Sequence, residues 1–170
     1  MPLIKGGKIV PDPWQHFSDD EELPADIPAI VSVSRWQAER DALLTRDGLL
    51  GIRLAPDQPP TEVARDLDHF ALVAIDFPVF RDGRGFSYAR LLRERHQFDG
   101  EIRAIGNVLR DQFLFMHRCG FDSFEVAGEG QADAWLQSIS EISVWYQPAT
   151  DSRVPVWRLR HRHPAPLAAE

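Results

Sequence analysis

With 170 residues, 44% of them hydrophobic, the chain is long enough to bury a full core without disulfide or metal staples and is expected to form one domain. A single cysteine, Cys119, excludes an intrachain disulfide, a paired-thiol redox centre and a four-cysteine zinc or iron–sulfur site. A net charge of −7 argues against general nucleic-acid binding. No apolar run approaches the roughly 20 residues that cross a bilayer, and residues 1–14 lack the pattern of a secretion signal, so a soluble cytoplasmic protein is expected.

The chain opens with Leu3-Ile4-Lys5-Gly6-Gly7-Lys8-Ile9-Val10, two apolar pairs around a Gly-Gly centre, which predicts a small β-hairpin. Pro11–Pro28 is rich in proline and acid, has no periodicity and reads as a loop. Residues 29–147 then repeat a strand-then-helix pattern. Ile30–Val33 is a strand, and Ser34 with Gln37 makes a capping box for a helix with Trp36, Leu43 and Leu44 on one face. Leu49–Leu54 is a second strand, and Pro59-Pro60-Thr61 opens a helix carrying Val63, Leu67 and Phe70. After the strand Leu72–Ile75, Ser87 is placed to cap a helix that buries Tyr88, Leu91 and Leu92. The strand Glu101–Ile105 follows Gly100, Asn107 is placed to cap the next helix, and Gly120-Phe121 reads as its glycine stop. Ser123–Val126 is another strand, Ala132, Trp135, Leu136 and Ile139 form a helical stripe, and Ser143–Tyr146 is a sixth strand. Residues 148–170 form a C-terminal arm in which Val156–His163 reads as a loose strand.

Alternating β and α units predict an α/β fold with right-handed crossovers and a mainly parallel sheet. Two architectures fit, an open three-layer sheet or a partial barrel of the TIM type, since eight full units need about 250 residues.

Four successive strand-like runs each carry one charge: Arg53, Asp76, Arg103 and Glu125. Strands covered on both faces normally read as unbroken apolar runs, and an unpaired buried charge costs several kcal/mol, so these four either form an internal ion ladder or line a polar site. Residues 81–118 also carry eight arginines and no lysine, and guanidinium suits forked recognition of oxyanions. In the loop after Asp76, Asp82-Gly83-Arg84-Gly85 precedes Ser87. It reads either as a simple turn or as an anion-binding loop with Arg84 as the fork, and it matches neither standard glycine-rich phosphate motif. Gly106-Asn107, with Arg110, Asp111 and Gln112, is a second strand-to-helix corner at the same end of the sheet. The anion or ligand candidates are therefore Arg53, Asp76, Asp82, Arg84, Ser87, Arg103, Asn107, Arg110 and Glu125. Cys119 reads as a core thiol, His161-x-His163 lacks a third metal ligand, and His16, His69, His96 and His117 read as scattered surface or helix-end residues. Trp135, Trp145, Tyr146 and Trp157 read as core or as an interface for a homodimer or another partner.

The segments FPVFRDGRGFSYARLLRER, GEIRAIGNVLRDQ and RCGFDSFEV, within Phe77–Val126, closely resemble the bacterial DUF934 family, as do the GGK hairpin, LLGIRLAP and VWYQ. That resemblance implies a role in sulfite reduction, as an oxidoreductase or an accessory to one, because members are encoded beside the sulfite reductase haemoprotein and other sulfate-assimilation enzymes. The implied partners are that haemoprotein or its electron donor. No catalytic residue comes with the resemblance. Asp82, Gly83, Arg84, Gly85, Arg103, Gly106, Arg110, Asp111 and Gln112 are carried as residues of the family pattern. The chain has no siroheme-cluster ligands and no dinucleotide fingerprint of its own, while a flavin needs no single motif and stays open. The readings are an accessory factor of assimilatory sulfite reduction, a free-standing enzyme acting on a small anionic metabolite at the strand ends, or a non-catalytic interaction module.

Overall fold

A computed structural model describes residues 2–126, 135, 137–138, 142–151 and 153–162, with the side chains of His161 and Arg162 outside the description. The hairpin forms as β1 (Leu3–Lys5) and β2 (Lys8–Val10), turning on Gly6 and Gly7, both at positive φ. Next come β3 (Gln15–His16), β4 (Ala29–Ser32), α1 (Val33–Leu44), β5 (Leu50–Leu54) and β6 (Leu72–Phe77). The chain continues with α2 (Arg84–Arg90), a π turn over Leu91–Arg95, β7 (Glu101–Gly106), α3 (Arg110–Cys119) and β8 (Ser123–Glu125).

All eight strands share one sheet in the order β2-β1-β8-β7-β6-β5-β4-β3. From β3 to β8 the pairs are parallel and run in chain order, whereas β1 joins β8 antiparallel. Crossovers that always advance the same way leave the helices on one face, which decides between the two expected architectures: the sheet is a curled half-barrel. Chain length gives an independent measure of the curl. Only residues 11–14 join β2 at one edge to β3 at the other, a reach of about 18 Å at most, whereas seven flat strand spacings are about 33 Å. The edges must therefore bend toward one another.

Alternation along each strand splits the molecule into two apolar clusters. Val31, Ile52, Leu54, Val73, Ile75, Phe77, Ile102, Ala104 and Phe124 face the helices and pack with Trp36, Leu92, Phe113 and Met116. Ile30, Leu72, Ala74 and Ile105 face the concave side, under Trp14. Helix α2 lies close on β6 because Gly85 has no side chain: a Cβ there would overlap the Phe77 ring and stand 2.9 Å from Ile75 Cγ2.

Several local expectations are corrected. Ser32, not Ser34, caps α1, its Oγ accepting from Arg35 N at 2.9 Å, because the strand ends one residue earlier than its apolar run. Pro60–Glu62 and Leu67–His69 are short 3-10 turns, not one helix. Between them Asp66 accepts from Trp36 Nε1 and Arg40, which pins the segment against α1. Ser87 is exposed in the second turn of α2, which starts at Arg84 with Gly83 before it, and α3 starts at Arg110, not after an Asn107 cap. Gly120 does end α3 at φ +109°, with Phe121 N bonded to Met116 O.

The loop expected over Pro11–Pro28 contains β3, held by backbone bonds to β4. Residues 142–146 form no strand; β1 occupies the edge of β8 where a strand continuing the series would pair. Val156–Arg162 is helical, its first turn bonded to Pro155 O, and not a loose strand. Most of the helical stripe over 132–139 lies outside the described residues; Trp135, Gln137 and Ser138 are helical. His163 also lies outside them. Trp135 and Trp145 are buried, the latter between Arg118 and Arg153, while Tyr146 and Trp157 are exposed. Among the described residues no helix is long and apolar enough to cross a membrane.

The α2–β6 contact makes a paired prediction. Gly85→Ala should lower unfolding stability by about 1–3 kcal/mol through overpacking, whereas Gly83→Ala, whose Cβ meets nothing within 4 Å, should stay within about 0.5 kcal/mol of wild type. Urea denaturation of the two variants checks both.

Candidate functional site on the concave face

The four strand charges all fall on the concave face, because each sits out of phase with the residues that face the helices. Register sets Arg53, Ala74, Arg103 and Ser123 in one row, with Asp76 opposite Ile105 one step further toward the strand ends. They divide into a closed group and an open one.

Arg103 anchors the closed group and is 1% exposed. Its Nε and Nη2 donate to Glu101 Oε1 at 3.0 and 2.9 Å, and its Nη1 donates to Asp12 Oδ2 at 2.7 Å and Glu125 Oε1 at 3.1 Å. Glu101 also accepts from Ser123 Oγ at 2.6 Å and from Lys5. Glu125 accepts from His16 Nε2 at 2.9 Å, a bond from β3 to β8 that only a curled sheet allows. Burial opposes the charge on Arg103, and Asp12 and Glu101 outweigh that effect, so its pKa is raised. Burial pushes Glu101 and Glu125 upward, but Lys5, Ser123 and Arg103 on the first, and His16 and Arg103 on the second, hold each below its ordinary value.

Arg53 and Asp76 form the open group at the ends of β5 and β6. Arg53 is exposed and lines a cavity of about 310 Å³ with His16, Phe17, Ser18 and Asp19. Asp19 Oδ1 accepts from Ser32 Oγ at 2.6 Å. Among the described residues the Arg53 side chain makes no hydrogen bond or ion pair, and neither does the half-buried Asp76 carboxylate. Burial pushes the Asp76 carboxyl up, with Arg53 and His16 pulling it partly back from beyond ion-pair distance. Gly106, at φ +86°, lets the end of β7 pass this carboxylate: a Cβ there would stand 2.7 Å from Asp76 Oδ1.

The other candidates stand outside this face. Arg84 Nε and Nη2 fork onto Asp82 at 2.9 and 2.6 Å, and Arg84 N also donates to Asp82 Oδ1, bonds that hold Asp82 down to about 2. Ser87, Asn107 and Arg110 are exposed on the loops and helices above the strand ends. Gln112 Nε2 ties the second of these corners to Phe80 O at 2.9 Å. Sequence reading missed Asp12, His16 and Glu101. Glu101 stood at the edge of its apolar run, and the other two lie in a stretch without periodicity. Among the described residues no group of three or more His, Cys, Asp or Glu side chains is placed to hold a metal ion.

Fold and face together define a singly wound α/β half-barrel with a neutralised ionic interior and an unpaired basic–acidic couple at its rim. The chain belongs to the family described as bacterial protein of unknown function (DUF934), whose model matches residues 51–157. That span holds Arg53, Asp76, Glu101, Arg103 and Glu125, while Asp12 and His16 precede it. No curated protein matches the chain.

Two outcomes follow. Arg103→Met leaves three carboxylates facing one another and should cost about 3–5 kcal/mol at neutral pH. Because Glu101 and Glu125 are held below their ordinary value of 4.5, they stabilise the wild type above that pH and lose the effect as acid protonates them. The deficit of the variant should therefore shrink in acid melts. Asp76 has the opposite sign: its raised pKa makes the charged form a cost above its folded value, a cost absent below the ordinary 3.8. Asp76→Asn should raise the melting temperature at pH 7–8 and lose that gain at about pH 3–4; thermal melts across pH decide it.

Proposed function

We propose that the protein is an accessory factor of assimilatory sulfite reduction that holds a small oxyanion at the rim of the half-barrel, beside the sulfite reductase haemoprotein or its electron donor. Family membership and the resemblance in Phe77–Val126 support the pathway. The observation that carries the site is Arg53. Its guanidinium is exposed, lines the rim cavity and has no carboxylate within ion-pair distance among the described residues, whereas Arg103 and Arg84 have theirs saturated. A free guanidinium at the carboxyl ends of parallel strands sits where such sheets bind ligands, and it offers the forked donors that an oxyanion accepts.

Thermal melts with millimolar sulfite, phosphate or sulfate test the site. At least one anion should stabilise the wild type, by about 2.7 kcal/mol at a hundred times its Kd. Arg53→Gln should abolish the shift, and Arg84→Gln should retain it. No shift with any anion, or a shift that survives Arg53→Gln, sinks the rim site. Co-purification with the reductase haemoprotein from cells tests the partner, and its absence together with unimpaired sulfite reduction in a deletion strain sinks the pathway.

A further inference from the structure

We infer that the rim site selects oxyanions that still carry a proton, setting their charged oxygens against Arg53 and their O–H against Asp76. The inference rests on the rim-site reading above and adds to it the chemistry of the bound species. Arg53 and Asp76 lie on adjacent strands and one face, diagonally related through the Arg53↔Ala74 register, and they do not close on each other into an ion pair. A ligand between them meets a guanidinium fork on one side and a carboxylate on the other. That carboxylate is half-buried and has no hydrogen bond among the described residues, so it offers all its lone pairs to an incoming donor. Gly106 shields its flank with backbone, not with a side chain that could satisfy it.

Asp76 stands beside the cavity that Arg53 lines with His16, Phe17, Ser18 and Asp19, and those lining residues add to the selection. His16 commits Nε2 to Glu125 and Asp19 commits one oxygen to Ser32, and the Asp19 carboxylate adds negative charge. A fully deprotonated tetrahedral anion brings lone pairs against the lone pairs of Asp76 and gains only Arg53. A hydrogen phosphate or hydrogen sulfite gains Arg53 and donates its proton in a charge-assisted hydrogen bond to Asp76. Discrimination between near-identical tetrahedra follows from one hydrogen atom, because an unpaired polar group in a site costs far more than a methylene-sized misfit.

Phosphate and sulfate are the matched probes: similar in size, with an O–H only on phosphate at neutral pH. Calorimetric titration at low ionic strength should show phosphate binding at least about tenfold tighter than sulfate, the effect of one such bond. Asp76→Asn exchanges an acceptor for an amide that can donate, so it should erase or reverse the preference, chiefly by tightening sulfate. Equal affinities in the wild type, or a preference untouched by Asp76→Asn, overturn the selection and leave the oxyanion site standing. Binding of neither anion overturns both. Circular dichroism of the variant confirms that the fold is intact when the preference is read.

Discussion

A guanidinium withdrawn from water is the constraint around which the rest of this molecule is arranged. Arg103 has essentially no exposed surface, and desolvating a charge so completely costs several kcal/mol unless opposite charges surround it. Its partners come from three places: Glu101 on the same strand, Glu125 on the next, and Asp12 from the segment that crosses between the two edges of the sheet. Meeting all three at once requires the sheet to curl and the crossing segment to lie over the concave face. The bond from His16 to Glu125 repeats the requirement from the far edge. In this half-barrel, the ionic centre and the Trp14 cluster cover the concave face, the side that layered strand side chains fill in a closed barrel.

Much of this was legible because strand and helix periods differ and the chain alternates them cleanly. The parallel core, the hairpin, the Gly120 stop and the charged positions on four strands all follow from local pattern. Failures cluster where the deciding partner is distant. Asp12 lies 91 residues from the arginine it neutralises, and β3 has two residues, too few to show a period. Caps were misplaced for a related reason. Ser34, with its capping box to Gln37, is the better cap in isolation, and only the strand's pairing with β5, which runs through Ser32, fixes where the helix begins. Val-Trp-Arg-Leu-Arg mixes apolar and basic residues and so suggests a loose strand or arm, yet the segment is helical and pairs with no strand among the described residues.

The ion ladder expected along the four strand charges exists for one pair and fails for the other, and the difference is instructive. Arg103 and Glu125 do meet, at 3.1 Å, within a network whose third acid, Asp12, no local pattern points to. Arg53 and Asp76 have the same alternation of sign, the same adjacency of strands and the same two-residue diagonal offset, so register does not separate the pairs; what differs is that Arg103 is buried among Asp12 and Glu101 as well, whereas Arg53 is exposed. Ala74, between the two arginines in their shared row, reaches neither. Identical residue types in one row thus do opposite things: one arginine is enclosed by carboxylates from three segments, and the other faces the solvent-filled cavity at the rim.

That asymmetry bears on function more than any single motif does. The inward charges around Arg103 are satisfied by partners, as foldable sequences generally arrange. Arg53 and Asp76 depart from that: Arg53 is exposed at the rim, whereas the Asp76 carboxyl is half-buried, without a hydrogen bond among the described residues, and raised in pKa by that burial. Local costs of this kind persist where a site needs them, since a group already satisfied by the protein has nothing left to offer a ligand. Among charged groups Arg53 acts on Asp76 most strongly, and both lie within the span that the family model matches, whereas the segment carrying Asp12 and His16 lies before it. The strands that carry the open couple are therefore separable in sequence from the segment that closes the interior. Under the proposed reading, a ligand supplying both an anionic oxygen and a proton would complete at the rim what Asp12 and His16 complete inside.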